Sequence, residues 1–129
     1  MSVDADAGYR KLDGMSHLRA AAGYSAAGLS RLWKEAAFRH EAIAGVCLVA
    51  VYAWLGVTPG IALSAVILFL LLIATEALNT AIEEIIDRIS PEISETGRHA
   101  KDLGSLAVFC AIVANGVLLI YALAIDLAR

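Results

Sequence analysis

Charged residues are scarce in this sequence of 129 amino acids. Only 18% of the residues are Asp, Glu, Lys or Arg, whereas 60% are hydrophobic, and the mean hydropathy is +0.73. Such values are well above those of a soluble domain of this size, so composition argues against an ordinary soluble protein. We therefore expect a membrane protein.

Cysteine is also rare, with two residues in the whole sequence. Cys47 and Cys110 both lie inside apolar stretches. They are expected to be small core residues rather than parts of a disulfide framework. The first forty residues contain no continuous apolar core, so no cleavable signal peptide is predicted.

Three apolar runs approach or exceed the roughly 20 residues that a bilayer-spanning helix needs. We predict spans at about residues 38–57, 60–89 and 101–126, the first two joined by a tight turn at residues 56–60. Ser90-Pro91 is expected to end the second span, because the proline ring cannot continue a helix. The predicted fold class is an all-α membrane protein with three transmembrane helices per protomer. Since three thin helices bury little surface, we expect an oligomeric bundle with sites at chain boundaries.

The region before the first span divides into two parts. Residues 1–16 are rich in Asp, Ala and Gly and are expected to form a flexible leader. Residues 17–37 mix basic and apolar side chains and predict an amphipathic helix lying on the membrane surface. A linker that only looks amphipathic is the alternative. Residues 17–129 would then form one membrane domain.

Basic residues are unevenly distributed around the predicted spans. The turn at residues 56–60 has none. They cluster before the first span and between the second and third, at Arg19, Arg31, Lys34, Arg39, Arg88, Arg98 and Lys101. The positive-inside rule predicts a cytoplasmic N-terminus, a cytoplasmic segment at residues 88–102 and a C-terminus on the outer side.

One face of the second predicted span is acidic. At about 100° per residue, Glu76, Asn79, Glu83 and Asp87 fall in one narrow stripe. Carboxylates at the edge of an apolar segment are costly unless they meet a cation, a metal or water. We interpret this stripe, residues 76–87, as a functional site, with a solvated helix end as the alternative.

Two further polar clusters are expected on the same membrane side: Glu35 with Arg39 and Glu41, and Lys101-Asp102. Carboxylates from separate helices suit Mg²⁺, which usually takes one or two of them together with phosphate oxygens. Lys101 offers a compact charge for phosphates. A further acid could act as general base toward an alcohol. The pattern predicts phosphoryl transfer at a membrane surface.

Known soluble nucleotide motifs are missing. Gly23 and Gly28 have the spacing of P-loop glycines, but Leu29-Ser30 stands where Lys followed by Ser or Thr is required, and no G-x-G-x-x-G occurs. A nucleotide site would have to be built from helices.

Five segments carry a family resemblance: Ala-Gly-Tyr-Ser at 22–25, Glu-Ala-Ala-Phe-Arg-His-Glu at 35–41, Glu-Ala-Leu-Asn-Thr-Ala-Ile-Glu at 76–83, Asp-Arg-Ile at 87–89 and Ala-Lys-Asp-Leu-Gly-Ser at 100–105. With these segments the chain resembles the bacterial integral-membrane diacylglycerol kinase family from about His17 onward. The resemblance implies a homotrimer in the bacterial inner membrane with sites between protomers. It also implies MgATP-dependent phosphorylation of a lipid alcohol, with no nucleic-acid partner.

The resemblance also assigns residues. It implies Glu76 as catalytic base, supported by Asn79, and Glu35 and Glu83 as metal-binding acids. The implied nucleotide contacts are Arg19, Tyr24, Glu35, Glu83, Asp87, Glu92, Lys101 and Asp102. The implied lipid contacts are Ser25, Trp33, Arg39, Glu41, Trp54, Glu76 and Ser105.

The sequence departs from the family pattern in two places. Before the first span, the segment between residues 25 and 35 is one residue shorter, and the basic residue early in the surface helix, Arg19, is out of register. Before the third span, His99 separates Gly97-Arg98 from Ala-Lys-Asp. Undecaprenol kinase, a relative of the same architecture, is the alternative function. A small channel or transporter is a more distant one, because it too places a glutamate inside a short helix.

Overall fold

A computed structural model describes residues 14–92 and 94–128 of the chain. Within them lie α1 (Gly14–Leu32), α2 (Ala36–Leu55), α3 (Pro59–Ile89) and α4 (Glu95–Leu127). No strand occurs in these residues, so the all-α prediction is confirmed. Among the described helices, α2, α3 and α4 are long and apolar enough to cross a membrane. The protein is therefore a three-span membrane protein.

The chain divides into two compact units, the first ending at Arg31 and the second beginning at Leu32. Most of the expected leader, residues 1–13, lies outside the described residues. Its last three residues, 14–16, already belong to α1, so the expected boundary at 17 is too late. Within the first unit, α1 exposes most of its side chains, and Ser25 Oγ donates to the Ala21 carbonyl at 3.1 Å.

The surface helix predicted at residues 17–37 ends earlier than expected, at Leu32. Glu35 has an extended backbone (φ −75°, ψ 131°) and occupies the position just before α2. Arg39 Nη1 donates to the carbonyls of Trp33 and Lys34, at 3.1 and 2.8 Å, and so stabilises the turn before α2. The predicted helix end was wrong because hydrophobic periodicity does not report this turn.

The third span begins earlier than the predicted residue 101, because Ser94 caps the start of α4. Ser94 Oγ accepts a hydrogen bond from the Gly97 backbone N–H at 3.0 Å. Such a cap satisfies a backbone donor that the first helical turn leaves free. The segment between the second and third predicted spans therefore contains the first turn of α4. The end of α3 at Ile89, just before Ser90-Pro91, agrees with the prediction.

The turn between α2 and α3 is built from local backbone rules. Gly56 follows α2 with φ 58°, a left-handed conformation that side chains other than glycine rarely adopt. Thr58 caps α3 by accepting from the Ile61 N–H at 3.5 Å, and Pro59 occupies its first turn. A small core of Tyr52, Leu55, Ile61 and Ala122 packs at this end of the second unit.

Helices α3 and α4 pack closely, whereas α2 makes few contacts with either. Asn115 of α4 donates from Nδ2 to the Leu68 carbonyl of α3 at 3.2 Å and to the Ala111 carbonyl of its own helix at 2.9 Å. Asn115 thus links α3 and α4 through a hydrogen bond. Beside α2, an apolar groove of about 760 Å³ is lined chiefly by α2 and α3 residues, among them Val46, Val49 and Phe69.

Replacing Asn115 by Leu is expected to destabilise the contact between α3 and α4. Hydrogen bonds between membrane helices contribute about 0.6 kcal/mol on average and up to roughly 2 kcal/mol. Reversible unfolding in mixed micelles would measure the loss. Ser64→Ala is the matched control, because Ser64 Oγ donates to the Gly60 carbonyl of its own helix, at 2.9 Å. Equal stability losses in the two variants would contradict the prediction.

Candidate active site

The acidic stripe lies on α3, which continues unbroken from its apolar half through all four stripe residues. Glu76 is buried, with 5% of its surface exposed. Asn79 and Glu83 are half-buried, and Asp87 is exposed. The burial therefore decreases in steps along the helix, so that the deepest acid is Glu76.

Acids from the beginning of α2 join the stripe. The carboxylates of Glu35 and Glu83 lie close enough to Glu76 to interact with it electrostatically, and so does the carboxylate of Glu41. Glu41 Oε2 is buried and has no hydrogen-bond partner within residues 14–92 and 94–128. Three acids, from the start of α2 and from α3, thus lie within electrostatic range of the buried Glu76, where repulsion between like charges is poorly screened.

Lys101 supplies positive charge to the Asp87 end of the stripe. Lys101 Nζ of α4 donates to Asp87 Oδ1, and the lysine also interacts electrostatically with Glu83. The next residue, Asp102, forms a long and exposed ion pair with Arg98 at 3.9 Å. Lys101 and Asp87, both expected to contact nucleotide, are therefore brought together by the fold, whereas Asp102 points to a different partner.

The remaining nucleotide candidates are more scattered. Glu92 is exposed and accepts a hydrogen bond from Ser90 Oγ at 3.2 Å. Tyr24 and Arg19 are exposed on α1 in the first unit. They offer side chains to solvent or ligand.

Apart from Glu76, the lipid candidates lie near the two ends of α2 and on α1 and α4. Trp33 packs edge-on against Phe38, with ring centroids 6.0 Å apart and planes at 77°, and Arg39 and Glu41 lie nearby on the same turns. Trp54 is 81% exposed near the other end of α2, roughly 20 Å along the helix axis from Glu41. The structure thus separates Trp54 from the acids. Ser105 is exposed on α4 and Ser25 on α1.

Gly104 of α4 lies at this site, although no role was predicted for it from the sequence. Asn79 Nδ2 donates to Glu83 Oε1 at 3.3 Å. Its Oδ1 faces Gly104, a buried glycine of α4. Gly104 has no side chain, so nothing in the sequence beyond its place in the 100–105 segment indicated a chemical role for it.

The acidic cluster is a candidate for metal binding. Within the described residues, no group of three or more His, Cys, Asp or Glu side chains is arranged to hold a metal ion. Glu35 and Glu83 nonetheless both approach Glu76. Two carboxylates with nucleotide phosphates match the usual environment of Mg²⁺, which keeps several water ligands. The donor set fits a metal that arrives with a nucleotide better than one held by protein alone.

These features define a class: a helical membrane protein with a cluster of acids, joined by a lysine of α4, where one span becomes polar. Comparison with known sequences narrows it. The family described as prokaryotic diacylglycerol kinase matches residues 23–123. The chain belongs to the prokaryotic diacylglycerol kinase family, and it is a membrane-bound lipid kinase.

Individual relatives agree with this family. The chain is 54% identical to a diacylglycerol kinase of Sinorhizobium sp over 116 residues, which cover 90% of this chain and 85% of the relative. It is 41% identical to the diacylglycerol kinase of Escherichia coli K12 over 101 residues, covering 78% and 83%. For the Haemophilus influenzae diacylglycerol kinase, identity is 38% over 108 residues, covering 83% and 92%. These names favour diacylglycerol kinase over the undecaprenol alternative, and the family sets aside the transporter.

Proposed function

We propose that this protein transfers the γ-phosphoryl group of ATP to the free hydroxyl of diacylglycerol, giving phosphatidic acid and ADP. The observation that carries the proposal is the buried Glu76, surrounded by acids from α2 and α3, in a chain that matches the diacylglycerol kinase family over residues 23–123. Such a site is deep enough for an alcohol whose acyl chains stay in the membrane.

Glu76 is the general base of this reaction. Its carboxylate accepts the proton of the lipid hydroxyl as that oxygen forms a bond to the γ-phosphorus. The bond between the γ-phosphorus and the bridging oxygen breaks, and ADP carries away the electron pair. Burial supports this role, because a carboxylate shielded from bulk water is available to a lipid alcohol. Asn79, one helical turn beyond Glu76, supports the site through its hydrogen bond to Glu83.

Glu35 and Glu83 are the residues that would hold Mg²⁺ together with ATP. Bound there, the ion would neutralise charge on the phosphate oxygens. Lys101 lies beside Asp87 and Glu83 and contributes a fixed positive charge toward the same phosphates. Tyr24, Asp87, Glu92, Asp102 and Arg19 complete the proposed nucleotide contacts.

The lipid head group is proposed to contact the start of α2. Arg39 and Glu41 can hydrogen-bond ester and hydroxyl oxygens. The guanidinium has five N–H donors, of which those on Nη1 already serve the turn before α2. Trp33, Ser25 and Ser105 are proposed to border the glycerol group. Trp54 is proposed to contact lipid at the other end of the same helix.

The protein is proposed to act as a homotrimer in the bacterial inner membrane. Large apolar side chains stay exposed on all three spans of the single chain, which supports burial against lipid and neighbouring protomers. The distribution of basic residues supports a cytoplasmic N-terminus and an outer C-terminus.

Glu76→Gln is expected to lower turnover by about 10²–10⁴-fold, since it removes the general base. Binding of MgATP should persist, because the proposed metal ligands are unchanged. Phosphate transfer and nucleotide binding would be measured on the same preparation in mixed micelles. Glu84→Gln is the control, an exposed acid on the same helix. Near-normal turnover of Glu76→Gln would rule the role out.

Glu35→Gln and Glu83→Gln are each expected to raise the Mg²⁺ concentration needed for half-maximal activity, by at least about tenfold. Each substitution keeps the shape of the side chain but removes the charge that binds a divalent cation. Titration of activity against Mg²⁺ at fixed ATP tests this, with helical circular dichroism as the folding check. An unchanged Mg²⁺ dependence in both variants would show that neither carboxylate holds the metal.

Diacylglycerol is expected to be phosphorylated in preference to undecaprenol. A polyprenyl alcohol has no ester, so it would leave Arg39 and Glu41 without the partners that diacylglycerol offers. Transfer of label from γ-labelled ATP, with kcat/KM compared for the two lipids in mixed micelles, decides between them. A higher kcat/KM for undecaprenol would instead assign the protein to the polyprenol kinases.

A further inference from the structure

Helices α3 and α4 approach very closely at Gly104. The side chain of Asn79 lies directly against this glycine, such that a Cβ atom added at Gly104 would overlap Asn79 Oδ1. The same atom would stand 3.2 Å from Asn79 Cγ and 3.7 Å from Asn79 Cα. The space normally filled by a side chain at position 104 is therefore occupied by the amide of Asn79.

The amide has one polar contact that fixes its orientation. Nδ2 donates to Glu83 Oε1 at 3.3 Å. The reverse orientation would point the amide oxygen at the carboxylate, two acceptors facing each other. In the observed orientation Oδ1 is buried, and it has no hydrogen-bond partner among residues 14–92 and 94–128. Since no donor holds Oδ1, the backbone of Gly104 is the surface that confines it.

This tight approach is local to the level of the acids. Gly116 lies on the same helix, and a Cβ added there would meet nothing within 4 Å. A Cβ added at Gly97, near the start of the same helix, would stand 3.0 Å from Ile86 Cγ2 of α3. Position 104 is distinguished by the polar amide that it faces.

We propose that Gly104 is a positioning residue for the metal and nucleotide site, acting through Asn79 on Glu83. The missing side chain lets the Asn79 amide lie between α3 and α4, and in that place its N–H holds the Glu83 carboxylate in one orientation. A side chain at position 104 displaces the amide and releases Glu83. This inference rests on the proposed role of Glu83 in holding Mg²⁺ with ATP.

The first test compares Gly104→Ala with Gly116→Ala. Binding of Mn²⁺, as a spectroscopic substitute for Mg²⁺, would be followed by electron paramagnetic resonance with a non-hydrolysable ATP analogue. Gly104→Ala is expected to weaken Mn²⁺ binding by about tenfold, the lower range for loss of a group that orients a metal ligand. Gly116→Ala should bind Mn²⁺ as the parent protein does. Equal affinity in Gly104→Ala and the parent would overturn the proposal.

The second test asks whether the effect runs through Asn79. In an Asn79→Ala background, the atom that collides with a Cβ at position 104 is gone. Adding Gly104→Ala there should cause no further loss of Mn²⁺ affinity. It should also raise the unfolding temperature, because alanine is favoured over glycine inside a helix, whereas it lowers that temperature in the parent. The same loss of affinity in both backgrounds would overturn the proposal.

Folding and the role of Glu83 are separated by two further variants. If Gly104→Ala alone does not fold, the double variant Asn79→Ala/Gly104→Ala is expected to fold, and its failure to fold would also count against the proposal. Glu83→Gln should weaken Mn²⁺ binding. If it does and Gly104→Ala does not, the positioning role alone is wrong. If Glu83→Gln leaves the affinity unchanged, the metal role of Glu83 is wrong, and the inference falls with it.

Discussion

Repulsion among carboxylates is the constraint around which this structure is arranged. Glu76 is almost fully buried, and the acids nearest to it are also carboxylates. Taking an ion out of water costs several kcal/mol unless an opposite charge or hydrogen bonds compensate. Lys101 compensates Asp87 and Glu83, which lie further along α3 than Glu76. The rest of the fold must therefore hold the acids in place against their mutual repulsion.

The close packing of α3 against α4 provides much of that support. Asn115 joins the two helices through the Leu68 carbonyl, and Asn79 rests on Gly104 closer to the acids. By contrast, α2 has few contacts with its neighbours and carries Glu41 on its first turns. The acids thus come from one firmly held helix and one loosely held helix, so small movements of α2 can change their separation at low cost.

Much of the architecture could be predicted from the sequence, because long apolar runs and Ser90-Pro91 report their structure locally. The acidic stripe could also be predicted, since helical geometry alone places Glu76 and Glu83 on one face. Helix starts were less predictable. Glu35 and Ser94 each end an irregular segment inside a polar run, where hydrophobic periodicity has no signal. Gly104 could not be predicted at all, because its role depends on which residue of another helix lies opposite.

The uninterrupted course of α3 also fixes a length. Its 31 residues extend about 46 Å at 1.5 Å per residue, whereas the apolar interior of a bilayer is roughly 30 Å thick. From Pro59 to Glu76 the helix covers about 26 Å. With the turn at residues 56–60 at one membrane boundary, Glu76 stands just inside the opposite one. The length of this helix relative to the membrane thickness therefore sets how deeply the Glu76 carboxylate lies in the bilayer.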